Sequence, residues 1–252
     1  LMKTKHLRLM QRAYVILFFC FMYLPIAYMI VFSFNQSKGY ALFTGFTLKW
    51  YTSLFHNASI LRALAVSLEV ALASAVIATI LGTAASLGIA SMGRKSRLVV
   101  TNITYIPVVN PEIITGISLM LLFVAYQRFA AHTDLLPDSI MGLPTLLIAH
   151  IAFNVPYVIF NVSPKIKQLD IKLYEAALDL GCDPKQAFFK VILPEICPAI
   201  LSAFLICLTY SIDDFMISYF NCGTVETLPI AIYSMTRKKV SPAVSYTHLT
   251  LP

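Results

Sequence analysis

Charged residues are scarce in this chain. Asp, Glu, Lys and Arg make up 12% of the 252 residues, whereas 58% are hydrophobic. Soluble domains carry about 25% charged residues, and the mean hydropathy of +0.77 also lies above the range of such domains. This composition argues against an ordinary soluble enzyme and predicts a membrane protein.

The motifs of several kinds of active site are missing as well. There is no His-Glu-x-x-His and no evident nucleophile with its base, which argues against an intramembrane enzyme. There is no Gly-x-x-x-x-Gly-Lys-Ser/Thr, so the chain cannot hold a nucleotide by itself, and we expect no cofactor. Nor do the cysteines form a Cys-x-x-Cys pair or show metal-ligand spacing with the histidines, so we expect buried thiols and no metal site. The cysteines are Cys20, Cys182, Cys197, Cys207 and Cys222.

The net charge of +7 does not indicate a nucleic-acid partner. The basic residues lie at the ends of apolar segments and form no patch interleaved with exposed aromatic residues. We therefore interpret them as signals of membrane topology.

Five apolar segments are long enough to cross a bilayer. They predict an all-α membrane protein, a polytopic helix bundle whose single transmembrane domain covers 1–244. The third segment contains Pro107, Asn110 and Pro111, so we expect it to border a cavity or a helix interface, where irregular backbone is tolerated. The expected spans are 13–34, 63–90, 98–126, 143–162 and 196–220.

The distribution of Lys and Arg predicts the orientation. Of the 19 basic residues, twelve fall on the side of the membrane that holds the N-terminus and seven fall on the opposite side. The positive-inside rule then places the N-terminus in the cytoplasm of a bacterial cell, together with the loop 163–195.

A polar, mixed-charge segment interrupts the apolar sequence within that loop. Apolar residues recur at helical spacing up to Gly181, which is expected to end a first helix. Asp183 is then the expected N-cap of a second helix, with Pro184 at its first position. The pattern predicts a helix, a sharp turn and a helix over residues 173–194, called the elbow below. The apolar residues of its first helix are Leu173, Ala176, Ala177 and Leu180.

The elbow resembles the EAA loop of ABC-importer permeases. The matching positions are Glu175, Ala176, Ala177, Gly181, Val191, Leu193 and Pro194, with Val191 where the family more often has Ile. The resemblance implies that 163–195 couples the chain to a cytoplasmic ABC ATPase dimer, with the first helix docking on it. It also implies a second permease subunit, a periplasmic or lipid-anchored substrate-binding protein, and a multi-pass inner-membrane location. ATP hydrolysis would belong to the partner, so the chain itself would not be an enzyme.

Two adjacent carboxylates, Asp213 and Asp214, lie near the end of the fifth segment. An aspartate costs about 2.5 to 3.5 kcal/mol at the centre of a membrane helix and less near the interface. The two carboxylates are expected to meet water or a cation, or to cap the helix end or pair with one of the basic residues at 237–239. The stretch 211–215, followed by 228–235, resembles spermidine/putrescine permease subunits, a resemblance that covers residues 12–244. It implies a polyamine pathway with Asp213, Asp214 and Tyr210 as substrate-pathway residues. The alternatives are a permease for another solute, such as ferric iron, and an ion-driven secondary transporter.

The end of the chain departs from the family pattern. Permeases of this kind would continue into a sixth span, whereas residues 245–252 are polar and too short to cross a bilayer. We expect a sixth span after Val244 in the full-length protein and interpret 245–252 as a non-native tail.

Overall fold

The computed structural model describes residues 2–37, 42–131 and 141–238, and they are mostly helical, with no β-strand within these ranges. This confirms the expected all-α class. The helices are α1 (Met2–Ser33), α2 (Lys49–Phe55), α3 (Ala58–Ser91), α4 (Arg94–Val109), α5 (Glu112–Ala131), α6 (Leu143–Gln168), α7 (Ile171–Asp179), α8 (Pro184–Ala187), α9 (Leu193–Asp213), α10 (Met216–Asn221) and α11 (Leu228–Lys238), with a π-helical turn at Phe188–Ile192. The expected sixth span and the tail 245–252 lie outside the described residues.

The chain divides into two compact units, residues 1–61 and 62–252. In the first unit, Asn35 organises the loop that follows α1. Its side-chain oxygen accepts a hydrogen bond from the backbone N–H of Thr44 at 2.8 Å, and its backbone carbonyl accepts one from the indole N–H of Trp50 at 2.8 Å.

Five helical segments in the described residues are long and apolar enough to span a membrane, which confirms the expected number. They are Met10–Ser33, Ala58–Ser91, Glu112–Ala130, Leu143–Gln168 and Pro184–Asp213.

The third and fifth spans differ from the bounds expected from sequence. The apolar region 98–126 is two helices, α4 and α5, because Asn110 is extended (φ −68°, ψ 140°) and Pro111 follows it. A residue before proline is driven out of the helical region. The fifth span is not 196–220. It starts twelve residues earlier, at Pro184, and ends at Asp213, where Asp214 takes an extended conformation (ψ 122°) and a separate short helix, α10, follows.

The core of the second unit lies where α3, α6 and α9 pack together. Ala75, Ala78, Val158, Val162 and Cys207 are buried there. Small residues bring α3 unusually close to α6: a Cβ added at Gly82 would lie 2.5 Å from Cβ of Val158. Close approach through small residues is a common way to pack membrane helices, and here it holds the elements that carry the polar residues described next.

Candidate functional site

The first helix of the elbow has its apolar face only partly covered. Asp170 accepts a hydrogen bond from the backbone N–H of Lys172 at 3.0 Å and so caps α7. Ala177 is buried, but Leu173 is 50% exposed and Leu180 is 87% exposed. The large apolar side chains of Leu173 and Leu180 are therefore exposed on an amphipathic helix.

The turn after this helix is held by its backbone. The N–H of Gly181 donates to the carbonyl of Leu178 at 2.9 Å, and the N–H of Cys182 donates to the carbonyl of Ala177 at 3.1 Å. This is the Schellman arrangement, which needs a left-handed residue just past the helix end. Gly181 supplies it with φ +87°, confirming the helix stop expected at this glycine.

The second helix begins as expected but does not stop at the predicted proline. The carboxylate of Asp183 accepts a hydrogen bond from the backbone N–H of Gln186 at 2.7 Å, with Pro184 at the first helical position. The helix then runs through the π-helical turn Phe188–Ile192 into α9, so Pro194 lies inside one continuous span. Proline removes an N–H and crowds the preceding turn, and the wider π-helical turn lies directly before it.

The two ends of the loop 163–195 meet. The ammonium group of Lys165, near the end of α6, lies 2.7 Å from the carboxylate of Glu195 in α9. Both side chains are partly exposed, so this ion pair adds at most about 1 kcal/mol. Among the positions that match the EAA-loop pattern, Val191 and Leu193 are half-buried, whereas Glu175, Ala176 and Pro194 are exposed.

The adjacent aspartates lie in different environments. Asp213 is exposed, whereas Asp214 is 7% exposed. The carboxylate of Asp214 accepts hydrogen bonds from the backbone N–H groups of Ile217 at 3.2 Å and Ser218 at 2.7 Å, in the first turn of α10. Capping, one of the roles expected from sequence, is thus seen at Asp214, but Asp214 caps α10, the helix that follows it, rather than the end of the fifth span.

A buried histidine joins this junction. Nε2 of His150, on α6, lies 3.1 Å from Oγ of Ser218 and 3.6 Å from Oδ2 of Asp214. One helical turn further along α6, the side-chain N–H of Asn154 donates to Oγ of Ser211 at 2.7 Å, and Ser211 also lies 3.2 Å from Oγ of Ser74 in α3. The bend between α9 and α10 is therefore fixed to α6 on both sides.

Tyr210, three residues before Asp213 on α9, belongs to a group of aromatic rings. The ring centroids of Tyr210 and Tyr157 are 5.0 Å apart, and those of Tyr157 and Phe153 are 5.1 Å apart. Aromatic rings from α6 and α9 thus meet at Tyr210, three residues before Asp213 on α9.

Sequence reasoning did not assign Asn154 or Tyr157 to a site. The signal was present, because His150, Asn154 and Tyr157 follow one another at i, i+4 and i+7 and so share one face of α6. A polar stripe of this kind in an apolar span points to a partner inside the bundle.

The helical spans and the elbow define a class of protein: a membrane-embedded permease. Residues 76–247 match the family described as binding-protein-dependent transport system inner membrane component, and the chain belongs to this family. It is a permease component of an ABC importer, a multi-pass inner-membrane protein. The resemblance to ABC-importer permeases, inferred from the elbow, is therefore confirmed.

Particular relatives are similar over most of their length. The chain is 37% identical to the putrescine transport system permease protein PotI of Escherichia coli K12, over 92% of this chain and 81% of the relative. It is 34% identical to the spermidine/putrescine transport system permease protein PotC of the same strain, over 94% and 86%. A solved bacterial alginate ABC transporter has the same fold, with a TM-score of 0.72 at 18% identity, covering 94% of this chain and 85% of that one.

Proposed function

We propose that this permease carries polyamines and is driven by a separate cytoplasmic ATPase dimer. The relatives named above are named for putrescine and spermidine. A second permease subunit would complete the translocation path, and a periplasmic or lipid-anchored binding protein would deliver the substrate. In this arrangement the chain itself performs no ATP chemistry.

The observation that supports a polycationic substrate is an exposed carboxylate that lies near an exposed aromatic ring on the same helix. The carboxylate of Asp213 is exposed. Tyr210, 45% exposed, lies three residues before Asp213 and contacts Tyr157. Ammonium groups are attracted both by carboxylates and by the faces of aromatic rings. A linear polyamine offers several such groups along one chain, and this region offers matching partners. The proposed pathway region contains Asp213, Asp214 and Tyr210, and within it Asp213 and Tyr210 are the side chains exposed to substrate.

The partly uncovered face of α7 supports the coupling role. Leu173 and Leu180, seven residues apart and so on one side of the helix, are exposed, and Glu175 is exposed on the opposite side. A short helix with exposed leucines gains stability when a partner removes them from water, by about 25 cal/mol for each Å² of apolar surface covered. With the N-terminus in the cytoplasm, as the basic residues predict, this surface would face the ATPase.

Uptake by the complete transporter tests the substrate. Radiolabelled putrescine and spermidine should both be taken up, and Asp213→Asn should raise the KM. Loss of one charge contact of about 1–2 kcal/mol corresponds to about a 5- to 30-fold change. The change should be larger for spermidine, which carries one more positive charge.

The matched control is Glu69→Gln, which removes an exposed carboxylate from α3 and should leave the KM unchanged. If the wild-type transporter takes up neither polyamine, or takes up ferric iron instead, the substrate assignment is wrong. Uptake that follows an ion gradient and persists without the ATPase would contradict the coupling role.

A further inference from the structure

The two neighbouring aspartates differ in how much of their hydrogen-bonding capacity is already used. Asp214 is buried and accepts two backbone hydrogen bonds from the first turn of α10, whereas Asp213 is exposed. Because Asp214 is buried and each of its carboxylate oxygens already accepts a backbone hydrogen bond, a substrate ammonium group can reach Asp213 more readily than Asp214.

His150 strengthens this difference. Its Nε2 faces Oδ2 of Asp214 at 3.6 Å and Oγ of Ser218 at 3.1 Å, and the His150 and Asp214 side chains are both almost fully buried. Its Nδ1 has no hydrogen-bond partner among the described residues. Because a carboxylate only accepts hydrogen bonds, the contact is favourable when Nε2 carries the proton. With its proton on Nε2, His150 can donate to Oγ of Ser218 at 3.1 Å and places the positive end of that N–H 3.6 Å from the carboxylate of Asp214.

We infer that His150 and Asp214 form a positioning pair that fixes the bend between α9 and α10, and that Asp213 alone offers its carboxylate to the substrate. The role given to Asp213 rests on the proposed function, because it assumes that the substrate is a polyamine. It makes His150 a positioning residue that acts through Asp214 and the backbone next to it, without touching the polyamine.

The far end of α10 is also fixed, which lets a change at His150 act locally. The side-chain N–H of Asn221 donates to the carbonyl of Gly116 in α5 at 3.1 Å, and Oγ1 of Thr145 in α6 donates to the carbonyl of Asn221 at 2.9 Å. With this end held by α5 and α6, loss of the His150 contact frees mainly the bend itself. Asp213 is the residue directly before that bend.

The test measures polyamine uptake by the complete transporter with single and double variants. His150→Leu removes the hydrogen bond to Ser218 and the contact with Asp214, and it should raise the KM about fivefold, the effect of one hydrogen bond of about 1 kcal/mol. His150→Gln can place an N–H near the position of Nε2 and should restore most of the affinity. In an Asp213→Asn background, His150→Leu should have little further effect on the KM, because the carboxylate that it positions is already gone.

A second measurement separates this inference from the proposed function. Thermal melting of the purified transporter needs no substrate. Asp214→Asn and His150→Leu should each lower the melting temperature, and their effects should not add, whereas Asp213→Asn should leave it unchanged. Additive effects of Asp214→Asn and His150→Leu would contradict the proposed pairing of His150 with Asp214, even if polyamine uptake is confirmed.

Two further results would overturn the division of roles. One is an equal rise in KM from His150→Leu with and without the Asp213 carboxylate, which a general loss of structure would produce. The other is an Asp214→Asn variant that melts like the wild type but binds polyamine weakly, which would make Asp214 a direct substrate contact. Failure of the wild-type transporter to take up polyamines would refute the proposed substrate. The melting measurements would still test whether His150 and Asp214 act together. If His150→Leu does not assemble, His150→Ala, which also removes the Nε2 donor, gives the same comparisons.

Discussion

Replacing Gly181 isolates the contribution of the elbow to coupling, because the structure separates backbone strain from steric contact at this residue. Its φ is +87°, and a Cβ added there would meet nothing within 4 Å. The whole cost of a side chain therefore comes from the left-handed backbone. That cost is about 1–2 kcal/mol for an ordinary residue, and a β-branched residue fits this region worst.

At room temperature this cost corresponds to about a 5- to 30-fold fall in the population of the bent elbow. Stimulation of the partner ATPase and uptake should fall together in the order Gly, Asn, Ala, Val at residue 181, since Asn tolerates the left-handed region better than Ala. ATPase activity of the reconstituted transporter, with and without binding protein and substrate, measures this order. Glu175→Ala changes an exposed side chain on α7 and should lower ATPase stimulation without affecting the fold.

Gly88→Val is the matched control, because Gly88 also has open space around its added Cβ but lies within α3, where no positive φ is required. It should insert and couple normally. The reasoning fails if Gly181→Val, expressed at the wild-type level, stimulates ATP hydrolysis fully, or if Ala and Asn at residue 181 impair coupling as much as Val.

Two further predictions concern packing in the membrane. Gly82→Ala should lower the stability of the purified protein by about 1–3 kcal/mol, because the added Cβ would overlap Val158. Gly88→Ala, which adds a Cβ in open space, should leave the stability unchanged. Thermal melting in detergent compares the two variants, and equal melting temperatures would contradict the close approach of α3 and α6. Ser211→Ala should cost about 0.6–2 kcal/mol by leaving buried polar groups on α3 and α6 without their partner. Thr209→Val, two residues earlier on α9, removes an exposed hydroxyl bonded within its own helix and should change melting little; similar losses in the two variants would show that the buried network adds nothing.

The elbow was predictable because its signals are local. Gly181 at the left-handed position and Asp183 as the cap act over a few residues of backbone. The end of the second helix was not predicted correctly, since Pro194 was expected to separate the elbow from the next span. Instead, the π-helical turn Phe188–Ile192 leads into α9, and the helix continues through Pro194.

The sequence by itself determined that the chain is a helical membrane protein with five apolar spans and an elbow of the ABC-importer type, because hydropathy, spacing and capping are properties of neighbouring residues. The tertiary structure decided how the two aspartates differ. His150 lies 64 positions before Asp214, and Tyr157 lies 53 positions before Tyr210. Whether such residues meet depends on how closely α6, α9 and α10 approach one another. That approach is set by small side chains in the core, and it places one carboxylate in the open and buries its neighbour beside a histidine.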